Sequence, residues 1–332
     1  MSFPGIVFVV ASLTVLAVVP ALSQIRQAWV ARYNGPANRG DAAYAIAVDK
    51  DGNAYVTGFS TWDSDDEDIV TIKYSSSGDE VWVQRYNGPD NGEDQPVAIA
   101  VDTAGNVIVS GYSHSSTTSD DIVTIMYAPD GSQRWLQRFD GPTGGWGDRP
   151  AALAVDSAGN VYVAGRSAYP DADIGWWSVY EYTTIKYGPD GVQHWAKHYR
   201  SDIEPQWGSE GGSFAQALDV DALGNVYVTG QSNEDRDHLT TAIATIKYNA
   251  AGVEQWVQRI FTIPQNIGSA IAVDQSGEVY VTGLSAVSSR DGDCYTIKYA
   301  PDGVILWERR YAVSGGERSQ GRHIRIDRFD IA

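Results

Sequence analysis

One pentapeptide, Ala-Ile-Ala-Val-Asp, starts at Ala45 and returns four more times along the chain with small changes. Self-similarity at a fixed period indicates supersecondary units that bury a core only by stacking on one another. With a degenerate sixth copy included, the aspartates that close the copies are 53, 54, 65, 53 and 53 residues apart. These aspartates are Asp49, Asp102, Asp156, Asp221, Asp274 and, in the degenerate copy, Asp327.

Each unit contains four short segments with strand character. In the first unit they are Ala45–Val48, Ala54–Thr57, Ile69–Tyr74 and Val81–Tyr86. β-Branched and aromatic residues dominate these segments, which is typical of strands. The second segment is apolar on successive positions, so both of its faces are predicted to be covered. An isolated copy of the fourth segment, Trp29–Tyr33, precedes the first unit.

Two kinds of turn separate the segments. The turn from Asp49 to Gly52 fits a type I turn closed by a glycine with positive φ, with the Asp49 carboxylate accepting a nearby backbone N–H. Pro-Asp-Gly turns follow later in the units, as at Pro129. The short strands and frequent turns exclude a helical solenoid. Four strands per unit, repeated in series, predict an all-β chain folded as a β-propeller of four-stranded blades.

These residues resemble the SBBP family of β-propeller repeats. The motif that carries the resemblance is Ala-Ile-Ala-Val-Asp-x-x-Gly-Asn-x-Tyr-Val-Thr-Gly-x-Ser at Ala45–Ser60, followed by Tyr-x-Pro-Asp-Gly-x-x-x-Trp. The resemblance extends from residue 28 to about residue 327. It implies an exported or cell-surface propeller protein, and it supplies no catalytic residue to transfer to this chain.

A single propeller domain is predicted over residues 24–332. Its five complete units span approximately 34–86, 87–139, 140–199, 200–260 and 261–311. An incomplete sixth blade is expected to combine residues 28–33 with residues 323–332, which begin with the inner-strand segment His323–Asp327. Imperfect closure and truncation of a longer protein are both compatible with this pattern.

The N-terminus has the features of a signal peptide. Residues Gly5 to Val19 are uncharged and nearly all apolar, a run too short for the roughly 20 residues that a membrane span needs. Small residues before Gln24 predict cleavage after residue 23. An uncleaved anchor and a misplaced start codon are the alternatives. The chain is therefore expected outside the cytoplasm, and its only cysteine, Cys294, excludes an internal disulfide.

Composition narrows the classes of partner. The 332 residues include 24 Lys and Arg against 42 Asp and Glu, a net charge of −18. Nucleic acid and anionic membrane surfaces are disfavoured, because both are bound through clustered basic residues. Hydrophobic residues make up 43% of the chain, which excludes a disordered chain. We expect a monomer that does not insert into a membrane after cleavage, and whose overall charge favours neutral or cationic ligands.

The sequence contains no recognisable catalytic constellation. The acidic run Asp63–Asp68 could gather a hard cation, but a solvated loop is the preferred interpretation. Cys294 aligns with isoleucines in other units and is predicted to be buried. Asp219, which replaces an alanine of the first strand, is the one obvious break in repeat symmetry at an inner strand. No metal, cofactor or catalytic residue is predicted.

Function is expected on the connections that vary between units. The turns after the first and third strands are short and uniform, whereas the loops after the second and fourth strands are dissimilar and emerge on the opposite face. Variable loops on a rigid scaffold commonly carry binding residues. The sequence predicts a non-enzymatic scaffold that binds a glycan or a protein there; tryptophans folded over the propeller mouth, or an enzyme such as a quinoprotein-like dehydrogenase, lyase or glycosidase, are the alternatives. The candidate ligand-binding residues are Trp62, Trp146, Trp176, Trp177 and Trp207.

Overall fold

The computed structural model describes residues 27–62, 66–142, 144, 147–170, 178–201, 211–233, 240–261, 264–288, 291–312 and 319–326. Within these ranges the regular secondary structure is β-strand, apart from one short 3-10 helix at Pro89–Asn91. The predicted all-β class is confirmed.

The strands follow one another in five sets. The first three sets are β1 (Asp41–Val48), β2 (Ala54–Thr61), β3 (Glu67–Tyr74), β4 (Glu80–Tyr86); β5 (Asp94–Val101), β6 (Val107–Ser115), β7 (Ser119–Tyr127), β8 (Gln133–Phe139); and β9 (Arg149–Val155), β10 (Val161–Pro170), β11 (Ser178–Tyr187), β12 (Gln193–Tyr199). After the two-residue β13 (Gly211–Gly212), the last two sets are β14 (Phe214–Val220), β15 (Val226–Asn233), β16 (Thr241–Tyr248), β17 (Glu254–Ile260); and β18 (Gln265–Val273), β19 (Val279–Ser288), β20 (Asp291–Tyr299), β21 (Ile305–Tyr311).

Each set forms one antiparallel four-stranded sheet in which the strands lie in sequence order. The third sheet also pairs β11 with β13 in parallel. The first strands of consecutive sheets contact each other, which places them on one inner side. Five such sheets in series are consistent with the predicted propeller, and we call them blades 1 to 5.

The repeated Asp-Gly turn has the predicted geometry. Gly52 has φ +81°, and its N–H donates to the Asp49 carbonyl at 3.1 Å. The Asp49 carboxylate accepts the N–H groups of Asp51 and Asn53 at 2.9 Å each, and the Tyr55 hydroxyl at 3.0 Å. One side chain therefore joins the turn to the start of the second strand, which explains why an aspartate closes every copy.

The second repeated glycine, Gly58 in blade 1, lies opposite a bulge in the first strand. The register of β1 against β2 shifts between Ala43 and Ala45. A Cβ at Gly58 would collide with the carbonyl of Ala42 across the bulge. The same collision recurs at Gly111, Gly165, Gly230 and Gly283, so this glycine is required by close approach of two backbones.

Neighbouring blades are joined by the repeated tryptophan. Trp82 of blade 1 packs over Gly131, in the turn between β7 and β8 of blade 2, where a Cβ would lie 2.9 Å from the indole Cγ. The Trp82 indole N–H donates to the carbonyl of Pro129 in the same turn at 3.1 Å. Its ring also lies 6.0 Å from that of Tyr127. Only a glycine at this turn leaves room for the ring.

The joint repeats along the chain. Trp135, Trp195 and Trp256 donate to the carbonyls of Pro189, Ala250 and Pro301 at 3.1, 3.3 and 3.1 Å. A lysine of the preceding blade donates to the same carbonyl in three of the four joints. These ammonium groups belong to Lys73, Lys186 and Lys247, at 3.1, 3.1 and 2.9 Å. Met126 replaces the lysine in the joint between blades 2 and 3.

Two sequence expectations require correction. The connection after the second strand of the third unit, from Tyr169 to Tyr182, was expected to be a variable loop, but its described ends lengthen β10 and β11, and Tyr182 is fully buried. Cys294 is only partly buried, whereas the aligned Ile69 and Ile122 are fully buried. The reason is that Cys294 faces away from blade 4, on the side of blade 5 that no other blade covers among the described residues.

We expect Trp135→Ala to lower the free energy of unfolding by about 3–5 kcal/mol, since the change removes a buried aromatic ring from the joint between blades 2 and 3. Trp307→Ala is the matched control, because Trp307 occupies the same position in blade 5, where the described residues include no following turn that packs against it. The loss of unfolding free energy in Trp307→Ala should be less than half of that in Trp135→Ala. Urea unfolding followed by fluorescence and by circular dichroism measures both, and equal losses would contradict the proposed role of the joint.

Candidate functional site

The variable loops lie on one face of the protein. The first strand of each blade begins on this face and the second strand ends on it, while the Asp-Gly and Pro-Asp-Gly turns lie on the other. We call this side the variable face. Arg149, at the start of β9, Arg166, in the distal half of β10, and Phe214, at the start of β14, are therefore close neighbours there.

A cavity of about 350 Å³ opens at this point of the variable face. It lies between the inner strands of blades 3 and 4, and its lining residues are Arg149, Pro150, Ala151, Arg166, Phe214, Ala215 and Gln216. Two arginine side chains therefore lie beside apolar residues in this cavity, although the chain as a whole is acidic. We call this cavity the arginine pocket.

Arg166 is the unusual group in the arginine pocket. Its guanidinium carbon lies 4.7 Å from the centroid of the Tyr180 ring and 5.4 Å from that of Phe214. Within the part of the chain that the structure describes, no carboxylate pairs with Arg166, and its Nε is buried without a hydrogen-bond acceptor. Burial lowers the pKa of Arg166, and the nearby charge of Arg149 lowers it further. An arginine nevertheless stays protonated, and the negative charge of Asp120 acts on Arg166 without forming an ion pair with it among the described residues.

Arg149 differs because its charge is already compensated. Its Nε and Nη2 donate to Asp120 at 2.9 and 2.6 Å, and its guanidinium stacks 4.1 Å from the centroid of the Tyr112 ring. The Tyr112 hydroxyl donates to Glu93 at 2.8 Å, and the His114 imidazole contacts Asp120 at 3.0 Å. This network fixes the position of Arg149 and leaves Arg166 as the cation available to a ligand.

Trp62 is the one candidate tryptophan among the described residues. It follows β2 on the variable face and is 38% exposed. The Arg85 guanidinium lies 4.0 Å from the centroid of its ring, and Arg85 also pairs with the buried Asp68. Part of the indole is therefore already occupied by an intramolecular cation. Trp146, Trp176, Trp177 and Trp207 lie outside the described residues, as do Asp63 and Asp65 of the acidic run.

Three carboxylates meet at the joint between blades 2 and 3. One oxygen each of Asp121, Asp140 and Asp148 lies within 4.8 Å of the others. Arg138 donates to Asp121 at 2.5 Å, and the Gly141 N–H donates to Asp148 at 2.7 Å. Burial, with a contribution from Asp140, raises the pKa of Asp148 to about 6. Arg138 and the Gly141 N–H compensate part of the negative charge of this cluster.

The raised pKa of Asp148 predicts a pH dependence of stability. Because the folded pKa of about 6 exceeds the ordinary value of 3.8, the folded state binds the proton more tightly. This contribution is fully present below about pH 4 and is lost as the pH rises through 6, and it amounts to at most about 3 kcal/mol. Asp148→Asn cannot ionise, so its stability relative to the native protein should rise between pH 4 and pH 7.

Unfolding free energies of both proteins across this range provide the measurement. Asp130→Asn is the control, because hydrogen bonds from Ser132 hold the pKa of Asp130 below its ordinary value. The contribution of Asp130 to stability changes only below about pH 4, so the difference between this variant and the native protein should stay nearly constant from pH 4 to pH 7. Parallel pH profiles for the native protein and Asp148→Asn would refute the assignment.

Asp219 has a structural role. Its carboxylate accepts the N–H of Val220 and, from the next blade, that of Val273, each at 2.8 Å. Burial raises its pKa. Asp219, which breaks the repeat symmetry, therefore links the inner strands of blades 4 and 5, and both of its carboxylate oxygens already accept hydrogen bonds.

Residues 29–62 match the family model described as the SBBP β-propeller repeat. This segment carries an SBBP β-propeller repeat. The matched SBBP segment begins with residues 29–33, which form no strand in the structure, and ends just after β2, which confirms the resemblance drawn from the motif. Over 117 residues the chain is also 32% identical to the regulatory protein FlaEY of Caulobacter vibrioides. That match covers 31% of this chain and 12% of FlaEY.

Solved structures resemble the chain in fold. The polysaccharide lyase Uly1 gives a TM-score of 0.50 at 11% identity, over 83% of this chain and 69% of the lyase chain. A protein of unknown function from Bacteroides caccae gives 0.44 at 10% identity, over 82% of each chain. Identities this low make these likenesses of fold alone. Among the described residues, no helix is long and apolar enough to cross a bilayer.

The arginine pocket was missed at the sequence level although the repeats contain a signal for it. Arg166 directly follows the second repeated glycine, where the other units have Phe59, Tyr112, Gln231 and Leu284. Arg149 likewise occupies a position that is Ala42, Gln95, Phe214 or Ile267 in the other units. Only the third unit is cationic at both positions. Comparing units position by position would have singled out this pair.

Proposed function

We propose that this protein is a propeller scaffold whose variable face binds a carboxylate-bearing glycan in the arginine pocket. The observation that carries the proposal is Arg166, a half-buried cation without a carboxylate partner among the described residues. A bound carboxylate would supply the missing acceptor in a site of low dielectric, where such a pair is strong. The net charge of −18 favours neutral or cationic ligands overall, and the arginine pocket is the local exception to it.

The walls of the arginine pocket suit a sugar ring. The Phe214 side chain lines the cavity, and Tyr180 packs against both Phe214, at 5.6 Å between ring centroids, and Arg166. Apolar aromatic faces bind the C–H face of a pyranose while polar groups fix its orientation. A volume of about 350 Å³ lies within the range of small-ligand sites. Trp176, Trp177 and Trp207, from the two adjoining loops, are proposed to extend this platform.

The test is binding of uronic-acid oligosaccharides by calorimetry, with neutral oligosaccharides of equal length for comparison. Arg166→Gln should weaken binding of the acidic series by at least about tenfold, because a buried carboxylate would lose its cation. Lys50→Gln removes a charge of the same sign from the opposite face and should have no effect. Replacing Trp176, Trp177 and Trp207 by alanine should weaken both series while leaving Tm nearly unchanged. Equal affinity of Arg166→Gln and native protein would refute the proposal.

The alternative is an enzyme that uses the same mouth. Incubating the bound oligosaccharides with the protein and measuring their chain length separates the two. We expect the length to stay constant. If the native protein cleaves the oligosaccharides and Arg166→Gln does not, the protein is a lyase or glycosidase and the proposal of a non-enzymatic scaffold is wrong.

We further propose a sixth, incomplete blade that combines the two terminal segments. Trp29 packs over Gly78 as Trp82 packs over Gly131, which supports a fourth-strand role for residues 28–33. Gly321 donates to the Gly283 carbonyl and lies against Thr282, as Gly268 lies against Thr229 and Gly230 one blade earlier. Residues 321–326 therefore stand in the place of a first strand that follows blade 5.

Export is a separate proposal, supported by the apolar run Gly5–Val19. The secreted protein should begin at Gln24, as determined by N-terminal sequencing. Leu16→Arg places a charge in the run and should keep the chain inside the cell. Secreted protein that begins at Met1 would contradict cleavage.

A further inference from the structure

The three carboxylates at the joint between blades 2 and 3 lie on the variable face. Asp121 is near the start of β7, Asp140 directly follows β8, and Asp148 directly precedes β9. One carboxylate oxygen of each residue lies within 4.8 Å of an oxygen of both others. Asp121 and Asp148 are 2% and 1% exposed, whereas Asp140 is exposed to solvent. We call these three residues the aspartate cluster.

The negative charge of the aspartate cluster is only partly compensated. Among the described residues, Arg138 is the cation that pairs with the cluster, through Asp121. The charge of Arg138 also acts on a fourth carboxylate, Asp94. Carboxylates this close to one another repel strongly when they are removed from water, as Asp121 and Asp148 are. A cation between the three carboxylates would remove this repulsion.

Asp121 carries a buried oxygen without a hydrogen-bond donor. Its Oδ2 accepts hydrogen bonds from Arg138 at 2.5 Å and from the Thr118 hydroxyl at 2.8 Å. Its Oδ1 is buried and accepts no hydrogen bond among the described residues. A buried carboxylate oxygen that lacks a partner costs free energy, so such an oxygen calls for a ligand. Because two further carboxylates lie beside Asp121, the ligand that fits is a cation.

The joint between blades 1 and 2 has a related arrangement with one carboxylate fewer. Asn87 takes the position of Asp140 there, and its side-chain amide donates to Asn91 at 3.0 Å. The glycine N–H that follows this position donates to the aspartate of the next inner strand in both joints. The two positions that keep their carboxylates are Asp68 and Asp94. Since this joint forms with an amide at the third position, packing of the blades does not require a carboxylate at Asp140.

The donor atoms indicate the kind of cation. Carboxylate oxygens without histidine or cysteine are typical ligands of hard ions such as Ca²⁺ and Mg²⁺. Ca²⁺ binds oxygens at about 2.3–2.6 Å, so one ion bridges oxygens up to about 5 Å apart, whereas Mg²⁺ bridges only about 4 Å. The oxygens of the aspartate cluster are therefore within reach of one calcium ion. The exposure of Asp140 lets water supply the remaining ligands.

We propose that the aspartate cluster is a calcium site, in which the carboxylates of Asp121, Asp140 and Asp148 bind one Ca²⁺ ion and water completes its coordination. Asp121 belongs to blade 2 and Asp148 to blade 3, so the ion links the two blades on the variable face. It strengthens the joint in which Met126 replaces the lysine of the other joints. In the ion-free protein, that joint has only the contacts described above.

The test is a calorimetric titration of the chelator-treated full chain with CaCl₂ at about pH 7.5, where carboxylates are ionised. We expect one site with a dissociation constant of about 10⁻⁴–10⁻³ M, the range of extracellular calcium modules, or tighter. Mg²⁺ should bind at least about tenfold more weakly, because it requires shorter distances. Ca²⁺ should also raise Tm, since it binds the folded state. No oligosaccharide is present, so the result is independent of the arginine pocket.

Three variants locate the ion. Asp140→Asn copies the residue that the preceding joint has, so it should fold normally, bind Ca²⁺ at least about tenfold more weakly and lose most of the rise in Tm. Asp130→Asn removes an exposed carboxylate from the opposite face of blade 2 and is the matched control, which should bind like the native protein. Asn87→Asp gives the joint between blades 1 and 2 its third carboxylate, and the stoichiometry should rise to two.

Two results would overturn the calcium site. Absence of saturable binding up to about 5 mM Ca²⁺ would leave a shared proton as the compensation of the cluster. Equal affinity of Asp140→Asn and native protein would mean that Ca²⁺ binds elsewhere on the acidic surface. The pH profile of Asp148→Asn is measured with a chelator present, because a bound ion would keep the Asp148 carboxylate ionised.

Discussion

The contact between a tryptophan and a glycine turn holds this protein together. Each four-stranded sheet is small and has two apolar faces, so each face that a neighbouring blade covers adds to its stability. The indole of one blade reaches over the turn of the next, fills the space above a glycine with positive φ, and donates its N–H to a carbonyl of that turn. A single residue therefore satisfies packing, backbone geometry and hydrogen bonding at once. Among the described residues Trp307 has no such turn against it, and its ring contacts Tyr280 of its own blade instead.

Because the joints and the uniform turns lie on one face, the other face is free to vary. The third unit can extend β10 and β11 beyond the length seen in blade 1 without disturbing a joint. The same freedom allows Arg149 and Arg166 at positions where other units have uncharged residues. A chain with a strong negative charge thus carries a local cationic pocket, because the scaffold below it does not depend on those side chains.

The sequence predicted the features that recur in every unit, but it did not predict those that depend on contacts between blades. The strands and the Asp-Gly turn follow from local pattern, and β1 to β4 contain the four predicted segments. The ammonium group of Lys73 donates to the carbonyl of Pro129, which is 56 residues away, and no local pattern shows this contact. The partial exposure of Cys294 could not be predicted either, since it depends on whether another blade follows. For the candidate site, position-by-position comparison of the units could have found Arg166, but its stacking on Tyr180 and Phe214 could not be predicted without the fold.

The series of blades has a consequence for how the protein loses structure. Each blade is coupled almost only to its two neighbours, so the molecule behaves as a one-dimensional array. The end blades 1 and 5 have one complete joint each, whereas blades 2, 3 and 4 have two. Fluctuations should therefore open the array from its ends, with backbone amides of the middle blades exchanging with solvent last. In the joint between blades 2 and 3, Met126 replaces the lysine whose ammonium group donates to the turn carbonyl in the other joints. This joint therefore has one hydrogen bond fewer, and we expect the array to separate there into segments of two and three blades.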